Sequence, residues 1–162
     1  FDLKMKYWIV ATYKINEIKR VESNLLNQGF EYYVPKIITK KLDSIPKEEV
    51  LFPGYIFINT SFNKYLSVKY TKGIKDIIKF GDKISYITDN DIKSINSVEK
   101  SSRLHPLTSK MKIGQEAIIK NGSFKGNIVK ICSMPSNRRV DILIHLLGSM
   151  RRVNVLEEDL IF

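Results

Sequence analysis

The sequence predicts an α+β fold over residues 5–100, followed by a small β-barrel over 111–162, and three patterns carry that reading. Runs rich in aromatic and β-branched residues, such as Tyr7 to Tyr13 and Leu51 to Thr60, have the composition of strands. Between them Ile15, Ile18, Val21 and Leu25 recur at three- and four-residue spacing, the period of a helix with one apolar face. Past Met111, five short apolar runs separated by turns fill about fifty residues, the size of an SH3-like barrel.

Taken in order, Tyr7 to Tyr13 is the first strand, and 14–28 the amphipathic helix, closed by Gly29. Its polar side carries Glu17, Arg20, Asn24 and Gln28. Phe30 to Ile38 reads as the second strand, running into the basic Thr39-Lys40-Lys41. Residues 42–50 are charged and poor in apolar groups, an exposed loop or hairpin tip. The strand at 51–60 opens on Phe52-Pro53-Gly54-Tyr55, where proline suits an edge or a bulge and glycine permits a tight turn. Within it Tyr55, Phe57 and Asn59 face one way and Ile56, Ile58 and Thr60 the other. Such a strand is buried on both faces or keeps an aromatic face for a partner.

Residues 62–72 are expected to be helical, and Ile74–Phe80 with Lys83–Thr88 to form a hairpin around Gly81-Asp82. Asp89 is the expected N-cap of a last helix at 90–100. Ser, Pro and Thr break every periodicity over 101–110, which reads as an interdomain linker. The barrel strands are Glu116–Lys120, Ile128–Cys132, Val140–Leu147, Arg151–Val155 and Leu160–Phe162. One of them carries two periods. Val140, Ile142, Ile144 and Leu146 fit a strand face, while Leu143, Leu146, Leu147 and Met150 fit a helix equally well.

A formal net charge of +10 and an isoelectric point near 9.6 call for an anionic partner, of which nucleic acid is the commonest. Residues 1–102 hold 17 basic against 12 acidic side chains and 103–162 hold 10 against 5, so the shorter part is more basic per residue. The single cysteine, Cys132, forms no internal disulfide and reads as a small core residue of a cytoplasmic protein. No apolar run has the length of a membrane helix, and Phe1-Asp2-Leu3-Lys4 lacks the pattern of a signal peptide. Met5 is a plausible start, with residues 1–4 upstream of it.

The order of these elements, with Leu51-Phe52-Pro53-Gly54-Tyr55-Ile56-Phe57-Ile58, Thr71-Lys72-Gly73, Lys79-Phe80-Gly81, Gly114-Gln115 and Gly122-Ser123-Phe124-Lys125-Gly126, resembles the NusG family of transcription elongation factors. The resemblance covers nearly the whole chain. It implies an N-terminal domain over 5–100 built on an antiparallel sheet flanked by helices, a linker at 101–110, and a KOW domain over 111–162. The chain is more similar to specialised, RfaH-like antitermination paralogs than to housekeeping members. It has Leu51-Phe52-Pro53, Phe80-Gly81 and a Gly-Ser-Phe where the latter have Gly-Pro-Phe; the second glycine expected after Asn127 is missing, a departure from the pattern. RfaH-like relatives can also store the C-terminal domain as a helical hairpin. The double period at 140–150 permits that alternative, whereas Gly126, Pro135 and Gly148 favour the barrel.

The resemblance implies a monomer that docks on RNA polymerase. Tyr55 and Phe57 would be the anchors and Trp8, Thr12 and Phe80 the walls of an aromatic site, although these fit a core as well. A second polymerase contact would fall on Lys64, Tyr65, Leu66 and Ser67, where the relatives' His/Thr run is missing. Lys14, Arg20, Asn24, Thr71 and Lys72 match positions that face the displaced non-template DNA strand; they also fit a solvated helix face. On the barrel, Ile128, Ile144 and Leu146 are candidates for a patch that binds ribosomal protein S10 or the termination factor Rho, and Arg138-Arg139 and Arg151-Arg152 for contacts to RNA or acidic protein.

Enzyme chemistry finds little support. His105 and His145 have no partner at metal-ligand spacing, Asp89, Asp91 and Glu99 read as caps and solvated surface, and no phosphate-binding glycine loop occurs. No cofactor is expected. The rival to an elongation factor is an RNA- or ribosome-binding KOW protein without polymerase affinity.

Overall fold

The computed structural model describes residues 4–40, 43–104, 135–149 and 152–153. The described residues fall into two compact units. One takes those up to Tyr33, from Gly54 to Ile87 and from His145 onward; the other takes Val34–Pro53 and Thr88–Ile144.

The first unit is an antiparallel sheet with two helices. Its central strand β1 (Lys6–Tyr13) is flanked along its whole length by β5 (Tyr55–Ser61), in a register that sets Thr12 opposite Tyr55, Val10 opposite Phe57 and Trp8 opposite Asn59. Strand β2 (Glu31–Tyr33) continues the sheet beyond β5. On its other edge β1 pairs first with β8 (Lys83–Ile87) and then with β6 (Ile74–Ile77), with an irregularity between Thr12 and Tyr13. The strand expected over 74–80 is therefore divided. Ile78 donates its N–H to the Val10 carbonyl at 2.8 Å, and β7 (Lys79–Phe80) alone forms the hairpin with β8 across Gly81-Asp82. The strand expected over 51–60 starts at Tyr55, because residues 51–54 turn. Ile9, Val10, Ala11, Ile56, Phe57 and Ile58 are fully buried, so both faces of the sheet's centre lie inside.

The helix expected over 14–28 is a short 3-10 turn, Ile15–Glu17, followed by α1 (Ile18–Asn27), with Val21 and Leu25 buried. The chain leaves α1 through Gly29: the N–H groups of Gly29 and Phe30 go to the carbonyls of Leu26 and Leu25 at 2.9 and 3.0 Å, closing the helix end. The second helix is shorter than expected, α2 (Tyr65–Lys69) after a 3-10 turn at Phe62–Lys64.

The run Phe30–Ile38 does not stay one strand, and its second half belongs to the second unit. It breaks before the buried Pro35, and β3 (Lys36–Thr39) pairs with β4 (Lys47–Val50), so the charged 42–50 stretch ends in a return strand. Helix α3 (Asp89–Leu104) lies on that hairpin. Lys36 N–H donates to Glu99 Oε2 at 2.7 Å and Ile38 N–H to Ser102 Oγ at 3.0 Å, which satisfies the free edge of β3. The cap of α3 is Thr88 rather than Asp89. Asp91 donates its N–H to Thr88 Oγ1 at 3.3 Å, and its carboxylate accepts from the Thr88 N–H and hydroxyl at 3.1 and 3.0 Å. Residues 101–104 of the expected linker continue α3.

The largest correction falls in the C-terminal part. The strand expected over Val140–Leu147 is helix α4 (Ser136–Ser149), the helical alternative of the two periods. Arg139, Leu143 and Leu147 are buried on it, at four-residue spacing. Pro135 and Gly148, read as obstacles to a helix, sit where they do little harm. Pro135 precedes the first turn and its carbonyl accepts from Arg139 N–H at 3.0 Å, and Gly148 lies in the last turn. Within the second unit Arg139 Nη2 meets Glu49 Oε1 at 2.7 Å. Within the first, Ser85 Oγ donates to the Leu147 carbonyl at 2.7 Å, and β9 (Arg152–Val153) pairs with β8. The remaining barrel strands, the KOW motif, Cys132 and His105 lie outside the described residues.

Candidate functional site

Both groups of expected site residues in the sheet unit are organised by the loop that leaves β1. Tyr13 N–H donates to the Gly54 carbonyl at 3.0 Å and Lys14 N–H to the Gly73 carbonyl at 3.4 Å. Both glycines have positive φ, +88° and +96°. At Gly73 a Cβ would also run into Val21 of α1, so the chain turns there against the helix in a way that admits no side chain.

On one side of the loop, Thr12, Tyr13, Lys14, Ile15, Asn16, Gly54, Tyr55 and Lys75 line an open pocket of about 590 Å³. Tyr55 and Thr12 are half-buried neighbours across the β1–β5 ladder, and Thr12 Oγ1 lies 3.5 Å from the Asp76 carbonyl. Tyr13 is largely buried, and that burial pushes its phenol above the usual tyrosine range, against a lowering hydrogen bond from the Gly54 backbone and with a smaller push from Glu22. The other expected anchor is placed differently. Phe57 and Trp8 are buried, Phe57 within 6.2 Å of the Tyr33 ring. Phe80 is half-buried and packs on the end of α4, where a Cβ at Gly148 would come within 2.8 Å of its ring. Of the second expected contact, Lys64 and Ser67 are exposed, Leu66 half-buried and Tyr65 fully buried.

On the other side, α1 and the Thr71-Lys72-Gly73 turn bring together residues about fifty positions apart in the chain. Asn24 Nδ2 lies 3.4 Å from the Lys72 carbonyl, and Gln28 Nε2 donates to Thr71 Oγ1 at 2.9 Å. Thr71 is buried, and its hydroxyl donates in turn to the Ser67 carbonyl at 2.7 Å. Asn24 and Thr71 thus brace the turn, while Lys14, Arg20 and Lys72 are its exposed cations. Arg20 meets Glu17 at 3.3 Å, a surface pair that restrains the guanidinium weakly. Gln28, which holds Thr71, and Tyr70, the exposed ring beside it, were missed as site residues by sequence reasoning. The four-residue step from Asn24 to Gln28 would have found the first.

Of the expected KOW-patch residues, Ile144 and Leu146 lie on α4 rather than on a strand, and Ile128 lies outside the described residues. Arg138 and Arg139 are also on α4, the first exposed and the second buried. Among the described residues no group of three or more His, Cys, Asp or Glu side chains is placed to hold a metal ion, and no helix is long and apolar enough to cross a membrane.

The family model described as "Transcription termination factor nusG" matches residues 5–96, more than half of the chain and all of the sheet's strands up to β8. The chain belongs to the NusG family. Among solved structures it is similar to that titled "Domain interaction in Thermotoga maritima NusG", at 18% identity and a TM-score of 0.43, over 69% of this chain and 66% of that one. The chain thus spans just under two thirds of that NusG chain. No curated protein matches it.

Proposed function

We propose that this NusG-family protein is a transcription elongation factor that docks on RNA polymerase beside Tyr55 and Thr12 and contacts the displaced non-template DNA strand through Lys14, Arg20 and Lys72. By holding the polymerase clamp closed it would suppress pausing or termination, and through its KOW region it would recruit ribosomal protein S10 or Rho. One observation carries the nucleic-acid part: α1 and the Thr71-Lys72-Gly73 turn are bonded together, so that cations distant in the chain share one exposed surface. The polymerase part is supported by a tyrosine left half-buried at an open pocket, an amphipathic anchor with a polar end.

Binding to a reconstituted elongation complex tests this, with pausing read on the same template. Wild type should bind and shorten pauses, and Tyr55→Ala should lose both. A wild type that binds ribosomes or RNA but no elongation complex would establish the rival reading.

A second reading concerns α4. The helix puts Gly148 against Phe80, one wall of the expected polymerase site, and ties Ser85 to Leu147. On that observation we infer that the C-terminal segment has a helical state docked beside the site, besides the barrel that its alternating residues would support. In full-length protein, NMR shifts of 136–149 recorded free and in the elongation complex should change from helical to extended. Helical shifts in both would remove the switch.

A further inference from the structure

We propose that Tyr70 is a stacking platform for an unpaired base of single-stranded nucleic acid, which rests on the nucleic-acid contact proposed above and gives it a base-holding element. Tyr70 is 71% exposed, an unusual state for a large aromatic side chain. Its backbone is nevertheless fixed. It caps α2, donating its N–H to the Leu66 carbonyl at 2.9 Å, and the next residue donates to Val68 at 3.1 Å and is clamped to α1 by Gln28. The ring is therefore carried on a hydrogen-bonded turn, which lowers the backbone ordering cost of a ligand that stacks on it.

The electrostatics choose the ligand. Lys69 Nζ lies over the ring, 5.7 Å from its centroid, and Lys72 follows two residues on, exposed. From Leu51 to Lys75 the chain carries four lysines and no acidic residue. A flat aromatic surface beside lysines suits a base with its phosphates: the ring takes the base by its π-face and the ammonium groups take the backbone. A cationic protein segment would meet like charge there. Stacking tolerates any base, so this element would add affinity without sequence preference.

The test is anisotropy of a fluorescein-labelled unpaired 12-nucleotide DNA, titrated with the full-length chain at several salt concentrations. Tyr70→Ala should weaken binding by about 5- to 100-fold, the size of one stacked base, with the salt slope unchanged. Tyr70→Trp should keep or improve wild-type affinity. Lys72→Ala should instead reduce the salt slope by about 0.7, one phosphate of a single strand. If Tyr70→Ala binds like wild type while Lys72→Ala is weakened, the cationic surface stands and the stacking role falls. If Tyr70→Ala retains DNA binding but loses the elongation complex, the ring is a protein contact and the proposal is overturned. A wild type that does not bind the DNA at all overturns both this inference and the nucleic-acid contact beneath it.

Discussion

Strand β5 and helix α4 begin from nearly the same sequence pattern and end in different structures. Tyr55 to Thr60 and Val140 to Leu147 both carry apolar residues at alternate positions, with more apolar residues between. In β5 every residue from Tyr55 to Ser61 has a partner on β1, and β2 pairs with the other edge. In α4 the four-residue spacing of Arg139, Leu143 and Leu147 sets the buried face instead. Alternation alone therefore decides little. It becomes a strand where Pro53-Gly54 turns the chain in between two partner strands, β1 and β2, and where no second period competes. The leucines of 143–147 supply that second period, and Leu is a better helix former than the β-branched residues and aromatics of β5.

The strand half of the comparison breaks most sharply at Phe57. It is fully buried, faces Val10 and Tyr33 across the two ladders, and has the Tyr33 ring at 6.2 Å. Phe57→Ala should cost about 3–5 kcal/mol, read as a lower urea midpoint with unchanged slope. A loss under about 1 kcal/mol would mean that this face of β5 is not packed, and would return Phe57 to the role of an open anchor.

The helical half should break at Glu49. The Arg139 side chain is 3% exposed, its Nη2 meets Glu49 at 2.7 Å, and its Nε and Nη1 have no hydrogen-bond partner among the described residues. Removing Glu49 leaves a buried guanidinium without that counter-charge. Because Glu49 is itself 34% exposed, Glu49→Ala should cost about 1–3 kcal/mol rather than the full penalty of a buried pair. Circular dichroism should show lost helix, and any gain of strand signal would place the released segment in its alternating period. Unchanged ellipticity and stability would show that the pair does not hold α4.

How much of this was legible depends on whether a signal was local. The strands at 7–13 and 55–60, α1 with its Gly29 exit and the Gly81-Asp82 hairpin follow from periods and turn residues that act over a few positions. The division of 74–80 did not, because Ile78 is turned by a bond to Val10, nearly seventy residues away. Pro35 was in view, but the return strand that completes β3 is Lys47–Val50, whose two glutamates and lysine conceal it. At the candidate site Lys14, Arg20 and Lys72 were legible as cations. That Thr71 is buried and works as a brace was not, since its hydroxyl is engaged by Gln28 of a helix 43 residues earlier.

The smallest expected effect separates the two regions by pH. The sheet unit holds Tyr13 and Tyr32, and α4 holds no tyrosine. Burial is the main reason that both phenols stand above the usual tyrosine range; for Tyr32, Glu22 adds to it, accepting the hydroxyl at 3.2 Å. A folded-state value raised above the unfolded one favours the neutral phenol in the fold. The stability this contributes is complete below about pH 10, the unfolded value, and is lost as pH rises through the folded value. The urea midpoint should therefore be flat from about pH 7 to 9 and fall above about 10, alongside phenolate absorbance at a pH higher than in the unfolded chain. Replacing both tyrosines by phenylalanine should make that fall shallower. An equally steep fall in the double variant would show that the alkaline sensitivity does not come from the burial of these two phenols.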